Sequence, residues 1–199
     1  DLVPREKGPV QFSITTKGKP APASMPHLGE NAIAKMVSVL KGLEDVYRPP
    51  EDPQEQMTLC VDTIRGGTAM NVIPDECVAE VDVRYPPDMS TKAVLELVRG
   101  KIGDSGYEVK VLHELDPVGT DPDIEAVRTL REVVGPGAKV LSVPYATEMV
   151  MFKAANKRLM VCGPGDSAGC HIPDENVRVE DVAKAAEIYT EYCTRMARR

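Results

Sequence analysis

Between positions 77 and 84 apolar and polar residues alternate without a break, and this run restricts the chain to folds built on a half-buried sheet. Cys77, Ala79, Val81 and Val83 share one face of such a strand; Glu80, Asp82 and Arg84 share the other. An earlier run repeats the pattern, with Met57, Leu59, Val61 and Thr63 expected on one side. The loop between the two runs, residues 66–76, opens on Gly-Gly and is too long for a tight hairpin. Residues 8–16 read as a further strand that leads into a Gly/Pro-rich connector, 17–29. Residues 107–114 read as another, with Tyr107, Val109 and Val111 on one face.

Two helices fit between these strands. Ile33, Met36, Val37, Leu40 and Leu43 recur at helical spacing from about Asn31 onward, until Pro49, Pro50 and Pro53 stop the helix. Ser90 is placed to cap a second helix carrying Val94, Leu97, Val98 and Ile102. The order strand, helix, strand, strand, helix, strand predicts a ferredoxin-like α+β domain, with helices over one face of an antiparallel sheet.

Residues 116–121 look like a crossover into a second unit of α/β type. Asp121 is expected to cap a helix with Pro122 at its first position and Ile124, Val127 and Leu130 as its apolar stripe. A short strand over 139–143, a helix over 147–155 and a strand over 158–162 follow. A long amphipathic helix closes the chain, with Val182, Ala185, Ala186, Tyr189, Tyr192, Cys193 and Met196 on one face. Two strands and three helices make an incomplete α/β domain, so this half is expected to expose sheet edge. The expected domains are therefore 6–115 and 116–199.

Composition narrows the function. Apolar residues make up 42% and charged residues 28% of the 199, a globular balance, and the 4% aromatic content makes the core aliphatic. A net charge of −7 argues against nucleic acid as a partner, because phosphate contacts need clustered Lys and Arg. No uncharged stretch approaches the length of a membrane span. Five cysteines, without a C-x-x-C pair, point to reduced thiols and a cytoplasmic protein. Asp1 opens the chain within a polar stretch, and a fragment of a longer protein is the expectation.

The candidate functional residues lie in loops and at strand ends. His171 follows a strand end and a Gly-rich loop, where open α/β sheets place ligands, and Asp174 and Glu175 stand three and four residues on. Gly163, Gly165 and Gly169 are spaced one residue too widely for a dinucleotide fingerprint, and Pro173 breaks the helix it requires. Cys162, Cys170 and His171 lack the paired spacing of a structural zinc site, and the two cysteines read as buried thiols beside a loop. Asn71 in a loop commonly makes turn contacts, and Arg84 on a polar strand face is ordinarily solvated. As a pair on one hairpin they would offer an amide and a bidentate guanidinium to a carboxylate. His27 and His113 carry no site role.

Three strings, in order, carry a resemblance. They are the connector Gly18-Lys-Pro-Ala-Pro-Ala-Ser-Met-Pro-His-Leu-Gly-Glu-Asn-Ala-Ile33, Gly66-Gly-Thr-Ala-Met-Asn-Val-Ile-Pro74 with Val81-Asp-Val-Arg84, and Gly163-Pro-Gly-Asp-Ser-Ala-Gly-Cys-His-Ile-Pro-Asp-Glu175 after Tyr145-Ala-Thr-Glu148. Together the chain resembles the zinc-dependent family of acetylornithine deacetylase, succinyl-diaminopimelate desuccinylase, aminoacylase and carboxypeptidase G-type metallopeptidases.

The resemblance implies a ferredoxin-like lid that mediates homodimerisation, inserted in a catalytic domain that binds two zinc ions, with cobalt a possible substitute. It implies hydrolysis of the amide bond of N-acyl amino acids or small peptides. His171 matches the family's last metal ligand; Asn71, Arg84, Thr147, Gly165 and Ser167 match positions that hold or line the substrate. The remaining metal ligands and the general base precede the lid in the family, so no catalytic base is assigned here and this chain alone is expected to be inactive. Where the family usually has a His that reaches across the dimer to the oxyanion, this chain reads Ala21-Pro22-Ala23. A non-catalytic dimerisation or small-molecule-binding module is the competing expectation.

Overall fold

A computed structural model of the protein describes residues 1–46, 50–103, 106–165 and 173–198. Its strands in chain order are β1 (Leu2–Glu6), β2 (Gly8–Lys17), β3 (Thr58–Gly66), β4 (Glu76–Tyr85), β5 (Tyr107–Glu114), β6 (Val118–Gly119), β7 (Val140–Val143) and β8 (Val161–Cys162). The α-helices are α1 (Ala32–Gly42), α2 (Thr91–Ile102), α3 (Glu125–Val134), α4 (Met149–Phe152) and α5 (Val179–Ala197). These elements fall into two compact units, Lys7–Pro117 with Pro144–Ala146, and Asp1–Glu6 with Val118–Val143 and Thr147–Arg199.

In the larger unit β3, β4, β2 and β5 form one sheet in that order, with every pairing antiparallel. Together with α1 and α2 this is the ferredoxin-like arrangement. Both helices start where a side chain satisfies a free backbone donor: Asn31 Oδ1 accepts from Ala34 N at 3.1 Å, and Ser90 Oγ from Ala93 N at 3.2 Å. The buried strand face and the helices share an aliphatic core around Phe12, Ile14, Met36, Leu43, Val81, Val83, Val94 and Val98. Tyr85 joins it fully buried, its hydroxyl 2.9 Å from Thr91 Oγ1.

One detail departs from simple alternation. The register of β3 against β4 shifts between Val61 and Thr63, so Asp62 is an extra residue. Thr63 therefore lies opposite Glu80 and gives it a hydrogen bond of 2.8 Å, rather than sharing the buried face with Leu59 and Val61.

The smaller unit differs more from expectation. Among the described residues its sheet has four strands, not two, because β1 runs through its middle and β6 pairs beside it. β1 pairs in parallel with β7 and antiparallel with β6 and β8. Residues 1–6, for which no strand was expected, thus supply the fully buried Leu2, which packs with Val127 and Leu130. The segment expected to be a plain crossover contains β6. Asp121 does not cap α3 either. Its Oδ1 accepts from Asp123 N at 2.8 Å in a local turn, and the helix starts at Glu125 without a side-chain cap. Among the described residues no helix is long and apolar enough to cross a membrane.

Candidate functional site

The helix-free face of the larger unit's sheet is polar, and Arg84 stands near one end of it. Register places Gln11 and Cys60 beside Asp82 on this face, two residues from Arg84. Arg84 is not loosely solvated. Its Nε donates to Asp82 Oδ1 at 2.6 Å and its Nη2 to Oδ2 at 3.0 Å, while Gln11 Nε2 donates to Oδ2 at 2.7 Å. The pair occupies one edge of the guanidinium plane and leaves its Nη1 end outside the clamp. A fork fixed in this way, on a side chain still 33% exposed, suits a planar carboxylate.

Asn71 lies elsewhere. Its loop, residues 67–75, is zipped to the connector: Pro22 bridges Val72, Ala23 N donates to Asn71 O at 2.9 Å, and Ile73 N to Ala21 O at 2.8 Å. Gly18 lets these segments meet, because a Cβ there would sit 2.2 Å from Glu30 O and 2.7 Å from Pro74 O. Asn71 and Pro22 are therefore neighbours at one exposed tip. Gly66 pairs with Cys77 at that end of the hairpin, whereas Thr58 pairs with Arg84 at the other. Eight residues of strand separate Glu76 from Arg84, roughly 26 Å at the usual rise. The expected convergence of Asn71 and Arg84 from one copy onto one carboxylate does not occur.

In the smaller unit, Thr147 is held by a glutamate. Thr147 N and Oγ1 both donate to Glu6 Oε2, at 2.7 and 2.6 Å, and Thr147 Oγ1 accepts from Met149 N at 3.1 Å. Glu6 ends β1, is 1% exposed, and pairs with Val118 on one side and Val143 on the other. Its Oε1 is buried and has no hydrogen-bond partner among the described residues. Gly165 adopts φ +93°, a left-handed conformation that favours glycine. His171, Ser167 and Cys170 lie outside the described residues.

Glu6 was not among the residues singled out from sequence. The signal was there: Leu2, Pro4 and Glu6 share the buried phase of one strand, and a carboxylate in that phase needs a partner. Burial pushes the Glu6 carboxyl above its ordinary 4.5, against the pull of hydrogen bonds from Thr147 and the Val150 backbone. A raised native pKa means that the native state holds this proton while the unfolded chain has lost it. Stability therefore falls as pH rises from the ordinary value through the raised one. Glu6→Gln should remove that loss, so its melting temperature should exceed wild type at neutral pH and the gap should close in acid. A melting temperature below wild type at neutral pH would refute this.

Among the described residues no three His, Cys, Asp or Glu side chains gather to hold a metal ion.

Comparison with known proteins fits this architecture. Residues 5–110 match the peptidase dimerisation domain of the M20 family. The chain belongs to that family. It is 27% identical over 210 residues to the "Probable carboxypeptidase" of Ajellomyces dermatitidis, covering 95% of this chain and 46% of that protein. It is 28% identical over 190 residues to a Mycobacterium tuberculosis protein named as a succinyl-diaminopimelate desuccinylase, covering 94% and 53%. The chain thus spans about half the length of the curated relatives it matches. A tripeptidase from Staphylococcus aureus superposes with a TM-score of 0.75 at 18% identity, over 100% of this chain and 54% of that one. The M20 family metallo-carboxypeptidase from Sulfolobus solfataricus gives 0.70 at 17%, over 96% and 59%. At these identities the structures testify to the fold.

Proposed function

We propose that the full-length protein is a cytoplasmic, metal-dependent amidohydrolase of N-acyl amino acids or small peptides, of deacetylase or desuccinylase type. It works as a homodimer joined through the lid, the larger unit described above. His171 takes one of two zinc ions, with cobalt able to substitute, and the remaining ligands and the base come from parts of the protein beyond these 199 residues. Arg84 takes the substrate carboxylate, and Thr147, Gly165 and Ser167 contact the rest of the substrate. A bound metal would polarise the amide carbonyl and lower the pKa of attacking water.

The observation that carries this proposal is the Asp82 clamp on Arg84, which orients a guanidinium on an uncovered sheet face. The distance between Arg84 and the Asn71 tip supports a second feature: the tip serves the partner copy's site, as the resemblance implies for the connector position now held by Pro22. The cysteines Cys60, Cys77, Cys162 and Cys193 are free thiols, in keeping with a reducing compartment.

The test is hydrolysis by the full-length protein of acetyl- and succinyl-amino acids, with zinc or cobalt, abolished by a chelator. Pro22 has no side-chain donor for an oxyanion, so Pro22→His should raise kcat by roughly tenfold or more with little change in KM. A full-length protein that dimerises but hydrolyses none of these would favour the non-catalytic module instead.

A further inference from the structure

A threonine hydroxyl has one proton to give and two lone pairs that accept. Thr147 Oγ1 donates to Glu6 Oε2 at 2.6 Å, and at alkaline pH, where Glu6 has lost its own proton, the carboxylate has none to offer, so the proton on that bond is the threonine's. One lone pair is taken by Met149 N. The Glu6 carboxylate is held in place, because it is buried and Thr147 N donates to the same oxygen. What remains at Thr147 is a single lone pair.

We propose that Glu6 is a positioning residue that makes the Thr147 hydroxyl a hydrogen-bond acceptor only, so that the substrate group it meets is an N–H. This rests on the reading of Thr147 as a substrate residue. A carboxylate or ester oxygen brought to Thr147 would face lone pair against lone pair, whereas the N–H of an N-acyl amino acid is taken directly. The substrate's carboxylate must then find its partner elsewhere. Nothing in the resemblance assigns Glu6 a role.

The experiment compares N-acetyl-L-alanine with O-acetyl-L-lactate, in which oxygen replaces the N–H, as substrates of the full-length enzyme at alkaline pH. Comparing the ratio of their kcat/KM values between variants cancels the substrates' intrinsic reactivity and any general loss of folded enzyme. Thr147→Val should lower the amide-to-ester ratio roughly tenfold, about the worth of one hydrogen bond. Glu6→Gln keeps a carbonyl oxygen for the two Thr147 donors and should preserve the ratio. Glu6→Met frees the hydroxyl proton and should lower the ratio as Thr147→Val does. A Thr147→Val that lowers both substrates equally, a Glu6→Met with the wild-type ratio, or a Glu6→Gln with a collapsed one would overturn the inference.

If Thr147→Val changes neither substrate, it is the assignment of Thr147 to the substrate that fails. A readout independent of turnover separates the two. NMR should show an exchange-protected Thr147 hydroxyl proton that disappears in Glu6→Met. Absence of that proton signal in the wild type would overturn the Glu6 assignment whether or not the enzyme turns over either probe, and it covers the case of a Glu6→Met that does not fold.

Discussion

Arg84→Ala in the full-length protein should lower kcat/KM for an N-acyl amino acid at least roughly tenfold while barely moving the melting temperature. A hydrogen bond to a charged group is worth about 1.5–3 kcal/mol, and the carboxylate of a bound substrate would lose such a bond outright. Folding stands to lose much less. The Arg84–Asp82 pair is partly solvated on the arginine side, and exposed ion pairs contribute about 0–1 kcal/mol. Asp82 also keeps its bond from Gln11 when the guanidinium is gone. Arg84→Lys should rescue little, because an ammonium cannot divide a planar fork between Asp82 and a substrate. Steady-state kinetics and thermal melts on the three proteins check this. An unchanged kcat/KM would leave Arg84 a clamped surface residue of the sheet.

The larger unit was legible because its sequence obeys two simple periods over long runs. β4 alternates for ten residues, and α1 and α2 begin at Asn31 and Ser90, whose side chains cap them. Legibility failed where a single residue changed the count. The extra residue Asp62 turns Thr63 to the other face, and nothing in Val61-Asp-Thr63 announces it. β1 failed for a different reason. Five residues that include a proline and two charges carry too little pattern to read as a core strand, and its place comes from partners more than a hundred residues away.

The candidate site shows the same division. The fork of Arg84 and its partner Asp82 could be read from i, i+2 spacing on a strand. The separation of Arg84 from Asn71 was also within reach of the sequence. The Asn71 loop enters β4 at Glu76, and Arg84 comes eight residues later, so closeness on one hairpin could not mean closeness in space. Glu6 needed both the strand and its far partner Thr147, 141 positions on, and local pattern supplies neither.

Leu2→Ala should unfold the smaller unit selectively. Leu2 is fully buried and clusters with the buried Val127 and Leu130, and the other hydrophobic side chains packed against them, among them Ile124, Val134, Met160 and Ile188, are only partly buried. Truncating a buried leucine costs about 2–5 kcal/mol. Small domains hold only about 5–15 kcal/mol in total, so the loss is a large share of what such a slight core provides. The larger unit's core contains none of residues 1–6 and should keep its protection. Hydrogen exchange read by mass spectrometry separates the outcomes. Amides of α3, β7 and α5 should exchange much faster in Leu2→Ala, while those of β2, β4 and α1 keep wild-type rates. Equal acceleration across both sets would mean that the two cores fold as one cooperative body. No acceleration in either would mean that β1 is dispensable, and the placement of Glu6 beneath Thr147 would lose its support, because β1 is what delivers it there.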